Sequence, residues 1–188
     1  RFIDGGHHRD VIDAVMARKT FCYWIDHTDN AQLMDVFTFG TWGGIYLGPA
    51  TYGQLTNFNL DCVAVGIHKL GDSQFNRNWQ ISQGSIIANA GAPLADIHPF
   101  VVEGQGHTAV ANCESFSGGN PALTTVGQSH DFMLVRGSEP LTVSLVGCRM
   151  RNYAADSPIT IENSAALIQA VACIDKENQP YTETIRPR

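Results

Sequence analysis

The spacing of the cysteines constrains the fold of this 188-residue chain more than any other feature. Cys148 and Cys173 are 25 residues apart, and Cys62 and Cys113 are 51 apart, which is about two such units. From Cys113 to Cys148 the step is 35 residues, one unit with an insertion. Steps of 25 on either side of Cys62 reach further apolar residues: Ile12, Phe37 and Ile87. A period of roughly 20 to 50 residues is the signature of repeat architectures.

Two interleaved series of short segments accompany this period, each partly alternating in polarity and bounded by turn residues, as strands are. The first series contains 31–37, 54–62, 78–87, 107–113, 141–148 and 167–173, and the second contains 21–26, 43–48, 65–70, 99–104, 132–137 and 158–163. No long amphipathic helix separates them. The pattern predicts an all-β fold, a right-handed parallel β-helix of about 25-residue coils, whose strands pair with their copies above and below. A β-sandwich is the alternative, because it also has short, evenly spaced strands.

The two ends of the chain carry expectations of their own. Residues 9–20 have helix-like apolar spacing, but we assign them as a strand with a turn because Ile12 falls on the period. The opening RFIDGGHHRD lacks an initiator Met and a signal-peptide pattern, which is typical of a processed product or of a piece of a longer chain. We expect a single β-helix domain over 1–188, with a polar tail at 176–188.

Composition excludes several partners. The net charge is −6 and only 16% of residues are charged, which argues against nucleic acid and against an anionic membrane surface. No apolar run approaches the roughly 20 residues needed to insert into a membrane. Five cysteines cannot all pair, and neither a CxxC motif nor zinc-ligand spacing is present. The thiols are therefore expected as buried rungs of an inward ladder, with no metal and no cofactor.

Carboxylates on adjacent coils offer one route to catalysis. Equivalent outward residues lie about 5 Å apart on neighbouring coils and about 10 Å apart across two coils. Those separations span the carboxyl spacings of roughly 5–9.5 Å in retaining and inverting glycosidases. Asp61 and Glu114 flank ladder positions, so we predict them as catalytic acid and base or nucleophile, with solvated surface acids as the alternative. A second column is expected to be a structural charge ladder: Asp26, Glu103, Arg136 and Glu162.

Substrate-binding residues are expected beside these carboxylates. The segments 68–80 and 114–131 are predicted to wall a groove. His107, His130 and Arg149 would contact substrate, and Trp42 and Trp79 would stack on sugar rings, although core positions fit both tryptophans equally well. Trp24 is expected in the core.

The coils 55–69, 78–89 and 107–119 resemble those of the pectate-lyase-like superfamily, and within it the glycoside hydrolase family 28-related proteins and phage tailspikes. The resemblance covers roughly residues 30–175 and rests on coil style. It implies polysaccharide hydrolases, lyases, epimerases or fructan transferases, which act outside the cell or on cell and virion surfaces, often as trimers. Of the polygalacturonase motifs, Asp61 is loosely matched and His107 less so. The calcium-binding Asp cluster of pectate lyases has no counterpart.

These observations lead to three functional expectations. The first is a carbohydrate-active protein that cleaves or rearranges glycosidic bonds of a polysaccharide or oligosaccharide with a carboxylate pair. The second is a non-catalytic glycan-binding or structural segment, like a tailspike or fibre, which forms a homotrimer or pairs with a missing N-terminal segment. A third is one product of a proteolysed enzyme whose other part holds the catalytic residues.

Overall fold

Two parallel sheets alternate along the chain, so that each coil contributes one strand to each sheet. The computed structural model describes residues 14–71, 78–88, 92–116 and 128–186, apart from the side chain of Cys62. Sheet A contains β1 (Phe21–Ile25), β3 (Gly43–Leu47), β5 (Val65–Leu70), β7 (His98–Glu103), β10 (Met133–Arg136) and β13 (Ile159–Ile161). Sheet B contains β2 (Ala31–Phe39), β4 (Gly53–Val63), β6 (Asn78–Ala88), β8 (Gly106–Ala111), β11 (Leu141–Val146) and β14 (Ala166–Ile174), with the short β9 (Glu114–Phe116) and β12 (Arg149–Met150).

The architecture is a parallel β-solenoid of about 5 turns with coils of roughly 26 residues, and 61% of the structure is strand. The predicted all-β, stacked-coil fold is confirmed. One pairing departs from the parallel pattern, because β15 (Pro180–Ile185) runs antiparallel to β14. Part of the segment predicted as a polar tail is therefore a strand of sheet B.

Sheet B bends at one column of residues that all have a left-handed backbone. Asn57 (φ 51°) and Asn112 (φ 53°) are typical members, and each lies between two runs of strand. Asn tolerates this conformation better than most residues because its short polar side chain can form local hydrogen bonds. A hydrogen bond within the column joins two successive coils, because Nδ2 of Asn57 donates to Oδ1 of Asp35. The column consists of Asp35, Asn57, Gln83, Asn112, Gly147 and Ala172.

Three of the predicted cysteine rungs lie in the inward column next to this bend, whereas the other predicted rungs do not. Cys113, Cys148 and Cys173 occupy equivalent positions on successive coils and are buried. In the earlier coils the same positions hold Val36, Phe58 and Gly84. Phe37, Cys62 and Ile87 do not share this column, contrary to prediction. The coil length is not constant, so a fixed step of 25 residues drifts out of register in the first half of the chain.

Gly84 has a packing reason to be in that column. A Cβ atom built on Gly84 would lie 2.0 Å from Cζ of Phe58. The ring of the Phe58 rung below therefore occupies the space that a side chain at Gly84 would need. The Phe58 ring fills the volume that the absent side chain of Gly84 would otherwise leave empty.

Two other expectations for the first half are corrected. Within 9–20, residues 14–17 form a helical turn and not a strand, while 9–13 lie outside the described residues. Met16 of this turn packs against Trp42 and Ala64. Trp24, expected in the core, is 63% exposed on the outer face of sheet A. In the described ranges, no helix has the length and apolar character to cross a bilayer.

Candidate functional site

The outer face of sheet A presents an aromatic surface over its first coils. Trp24 and Tyr46 are rung neighbours, and their rings stack with centroids 4.0 Å apart and an interplanar angle of 27°. Phe21 contacts the edge of Trp24, with centroids 6.4 Å apart, and leans on Tyr46 at 5.7 Å. The outward positions of Trp24 and Tyr46 follow from the period-2 alternation of the strands, since their neighbours Tyr23 and Ile45 point inward. Phe21 begins β1 and packs on the outer face beside them. Because the rings are stacked, the indole covers one face of the phenol, and Trp24 provides most of the exposed apolar area of the pair.

The aromatic surface leads directly into a charged cluster. The ring of His68 meets Tyr46 edge-on at 5.3 Å, and Nε2 of His68 donates to Oε1 of Glu103 over 2.7 Å. Nε of Arg136 donates to Oε2 of the same carboxylate over 2.5 Å. The hydrogen bond from His68, followed by the Arg136 pairing, outweighs burial and lowers the pKa of Glu103 to about 2. Glu103 is thus a fixed anion whose two oxygens are both engaged. The Glu103–Arg136 part of the predicted charge ladder is confirmed.

A buried histidine–carboxylate pair lies at the opposite end of β7 from Glu103. Nδ1 of His98 lies 2.9 Å from Oδ1 of Asp131, which is fully buried, and Nε2 of His98 lies 3.0 Å from the carbonyl oxygen of Ala95. A carbonyl cannot donate, so Nε2 carries a proton, and a further proton lies between Nδ1 and Asp131. Both ring nitrogens are occupied. His98 therefore holds the 3-10 helix Leu94–Asp96 against the sheet and is not available as an acid or base.

Of these groups, His68, His98 and Arg136 line a groove of about 500 Å³ along the outer face of sheet A, here called the sheet-A groove. Tyr46 and Glu103 contact its wall through His68. Its upper wall carries Asp96, whose carboxylate lies 3.6 Å from Nζ of Lys19. The Lys19 ammonium in turn sits 4.6 Å from the centroid of the Trp42 ring. The residues that line it include Lys19, Phe21, His68, Asp96, His98, Val101, His130, Leu134, Arg136, Thr160 and Glu162.

A second groove, of about 700 Å³, follows the left-handed column of sheet B and is called the bend groove. Glu114 and Arg149 are rung neighbours on its wall, in line with Ser85 on the preceding coil. Asp35 and Asn57 lie on its floor. Two of the predicted site residues, Glu114 and Arg149, thus come together here, on a different sheet from the aromatic surface.

Asp61, the predicted partner of Glu114, lies further along sheet B. The residue two coils below Glu114 in the same register is Asn59, and Asp61 follows it by two residues along the strand. Strand rise and coil spacing together place the Cα atoms of Asp61 and Glu114 about 12 Å apart. That distance is longer than a direct two-coil separation, and the structure does not bring the two residues together as neighbours.

The remaining predicted residues are scattered over both sheets. His130 and Trp42 line the sheet-A groove, and Trp42 is only 8% exposed. His107 lies on the outer face of sheet B, where Nε2 is 3.1 Å from the hydroxyl of Ser144. Trp79 is fully buried, and its Nε1 donates to Oγ1 of Thr51 over 3.2 Å. Of the two placements considered for Trp79, the structure has the core position, so its ring offers no surface for stacking.

The residues that sequence reasoning missed are Trp24, Tyr46 and His68. The signal was present in the alternation, because Trp24 and Tyr46 each lie between two aliphatic or aromatic residues that point inward. Aligning the second series of strands one above another would have shown a single column of three rings. The cysteine spacing follows sheet B and carries no information about this column of sheet A.

No group of three or more His, Cys, Asp and Glu side chains within the described part is arranged to hold a metal ion. Comparisons of the chain with models of protein families, with curated proteins and with solved structures found no match. The fold and the sheet-A groove are therefore the observations that bear on function.

Proposed function

We propose that this β-solenoid binds a glycan chain along the outer face of sheet A. The observation that carries the proposal is the exposed Trp24 ring stacked on Tyr46, directly beside the Glu103–Arg136 cluster. A contiguous aromatic patch bordered by charged groups is typical of a ligand-binding surface. Sugar rings present apolar faces, with hydroxyl groups at their edges.

The charged cluster supplies the hydrogen bonds that such a ligand needs. Glu103 accepts, and Arg136, which is 42% exposed at its side chain, keeps guanidinium donors that face the groove. Charge-assisted hydrogen bonds to hydroxyls are stronger than neutral ones. Stacking at one end and ionic hydrogen bonding at the other would hold a chain along the solenoid axis.

The β-solenoid fold is compatible with carbohydrate-active as well as carbohydrate-binding proteins, and cleavage of a glycosidic bond is the second candidate. Glu103 and Glu162 occupy the same outward column, two coils apart with Arg136 between them. Their backbone separation of about 10 Å is compatible with the wider carboxyl spacing of inverting glycosidases. The Asp61 and Glu114 pair of sheet B remains a separate prediction for the same chemistry.

Membership of the pectate-lyase-like superfamily, with its glycoside hydrolase family 28-related and tailspike branches, is part of the same proposal. It is supported by the parallel coils and by the coil sequences at 55–69 and 107–119. An extracellular or surface location and a homotrimeric assembly follow as further proposals from that membership.

The test is binding to a panel of soluble polysaccharides, measured by affinity electrophoresis and calorimetry. Trp24→Ala should weaken binding about tenfold, because it removes the exposed stacking surface. Phe37→Ala is the matched control, because Phe37 is an aromatic side chain 56% exposed on sheet B. Equal affinity of Trp24→Ala and the unchanged protein for every bound glycan would contradict the proposal.

Reducing-end release from the bound glycan distinguishes cleavage from binding alone. If the groove is catalytic, Glu103→Gln and Glu162→Gln abolish turnover while binding through Trp24 persists. If turnover instead disappears in Asp61→Asn and Glu114→Gln, the reaction belongs to sheet B.

A further inference from the structure

The charges around the sheet-A groove are unequal in sign. Among the described residues that line it or end its strands, Lys19 and Arg136 are the lysine and arginine cations. The carboxylates around them are more numerous by one: Asp96 and Glu162 line the groove, and Glu103 contacts Arg136. The groove thus carries an excess of negative charge, in a chain whose net charge is −6.

Both cations are already matched to carboxylates within the groove. Nζ of Lys19 lies 3.6 Å from Asp96, and Arg136 donates to Glu103. An acidic sugar that approached either cation would have to compete with a carboxylate already in place. Arg136 keeps donors for neutral hydroxyl groups, but its positive charge is already compensated by Glu103, which weakens its attraction for a carboxylate or sulfate.

The histidines do not reverse this balance. His68 donates to Glu103, and His98 shares its proton with Asp131. The His98–Asp131 pair holds one shared proton and has no net charge, and the contact of His68 with Glu103 needs only a ring N–H, which a neutral imidazole carries. The remaining ring, His130, packs edge-on against His98 with centroids 5.8 Å apart.

The unmatched charge is negative. Glu162 lines the groove, is exposed, and forms no ion pair with another described residue. It would repel a chain that carries a carboxylate or sulfate on each sugar, and the repulsion would accumulate over successive residues. The Trp24 surface at the other end of the face is uncharged and needs only an apolar sugar face.

We infer that the ligand of the sheet-A groove is an uncharged glycan and that the groove excludes chains built from uronic acids or sulfated sugars. The inference rests on the proposed glycan-binding function and specifies the chemical class of that ligand. It differs from the uronate substrates of the pectate-degrading enzymes that the coils resemble.

The experiment compares neutral and acidic polymers with the same backbone at pH 8. The probes are dextran, fully methyl-esterified polygalacturonate and hydroxyethylcellulose, set against carboxymethyl dextran, polygalacturonate and carboxymethylcellulose. We expect binding that depends on Trp24 for at least one neutral polymer, and binding of its acidic counterpart that is at least about tenfold weaker at low salt. Added salt should narrow that difference by screening the repulsion.

A charge variant locates the effect in the groove. Glu162→Lys should strengthen binding of the acidic polymer and narrow the difference between its affinity and that of the neutral polymer. Glu177→Lys makes the same change in net charge on an exposed turn away from sheet A and should do neither.

The possible failures are distinguishable. If no polymer binds in a way that depends on Trp24, the proposed glycan-binding function is wrong. If acidic polymers bind through Trp24 as tightly as their neutral counterparts, the function stands and the inferred ligand class is wrong.

Discussion

Nδ1 of His98 lies 2.9 Å from Oδ1 of Asp131, and the carboxylate is fully buried while the histidine is 6% exposed. Removing one partner of a buried ion pair leaves the other without compensation, which costs about 3–5 kcal/mol. We therefore expect His98→Ala to lower the free energy of unfolding by about that amount, measured by urea denaturation.

The neighbouring histidine provides the control for that experiment. His130 is partly exposed and packs against His98 only edge-on. His130→Ala should lower stability by about 1 kcal/mol or less, as partly exposed positions usually do. Equal losses in the two variants would show that the His98–Asp131 contact is not what holds this side of the groove.

Glu103 predicts an acid-sensitive contribution to stability. The pKa of Glu103 is lowered to about 2 by hydrogen bonds from His68 and Arg136, against an ordinary value of 4.5. Folding therefore favours the ionised form, and this stabilisation is fully present above pH 4.5 and is lost as the pH falls to about 2. We expect a loss of about 2 kcal/mol, which is less than the full shift implies because solvent screens a partly exposed group.

The free energy of unfolding is measured as a function of pH for the unchanged protein and for Glu103→Gln, and the two profiles are compared. Glu103→Gln keeps the shape of the side chain and removes its titration, so its stability should change less than that of the unchanged protein between pH 5 and about 2. Other carboxylates titrate in both proteins and cancel in the comparison. Parallel pH profiles for the two would contradict the assignment.

Ala172 offers a stabilising substitution. Its backbone has φ 54° at the bend of sheet B, where a Cβ atom crowds the carbonyl, and its side chain is exposed. Ala172→Gly should therefore raise the free energy of unfolding by up to about 1 kcal/mol, which appears as a higher urea midpoint. Ala170→Gly, at a buried inward position with ordinary strand geometry, should lower it by a similar amount. A gain from both substitutions, or from neither, would contradict the role assigned to the bend.

The cysteines should differ in their reactivity toward alkylation according to their accessibility. Cys22 is exposed, whereas Cys113 is buried and burial raises its pKa to about 12. Because the thiolate is the reactive form, iodoacetamide at pH 8 should modify Cys22 in the native protein and leave Cys113 untouched. Peptide mass spectrometry measures both sites, and modification in urea confirms that Cys113 can react once unfolded. Comparable native rates at the two sites would contradict the inward ladder.

The fold could be predicted because a solenoid repeats its coils along the chain, and part of the period remained visible. Cys113, Cys148 and Cys173 share one inward column because the coils that join them keep strand register across an insertion. The earlier rungs could not be placed by counting. From Phe21 to Gly43 the rung step is 22 residues, whereas from Val65 to His98 it is 33. Only strand pairing, which is not visible in spacing, assigns Val36, Phe58 and Gly84 to that column.

The candidate site was less predictable, because it depends on which strand faces which way. Trp24 and Trp79 both occupy alternating strands, yet one is on the outer face and the other is in the core. Shifting a strand by one residue exchanges its outward side chains for its inward ones, so an error of one residue turns an outward carboxylate into an inward position. The pairing of Glu103 with Arg136 could be predicted, since both residues end strands of the same series.

In a solenoid, each coil is stabilised chiefly by its neighbours, so protection against opening depends on position along the stack. Within the described part, β1 and β2 have a strand neighbour on one side only. Trp24 lies on β1, whereas Tyr46 lies on β3 of the next coil. A ligand that contacts both rings would add contacts between the two coils, so binding should slow amide exchange in β1.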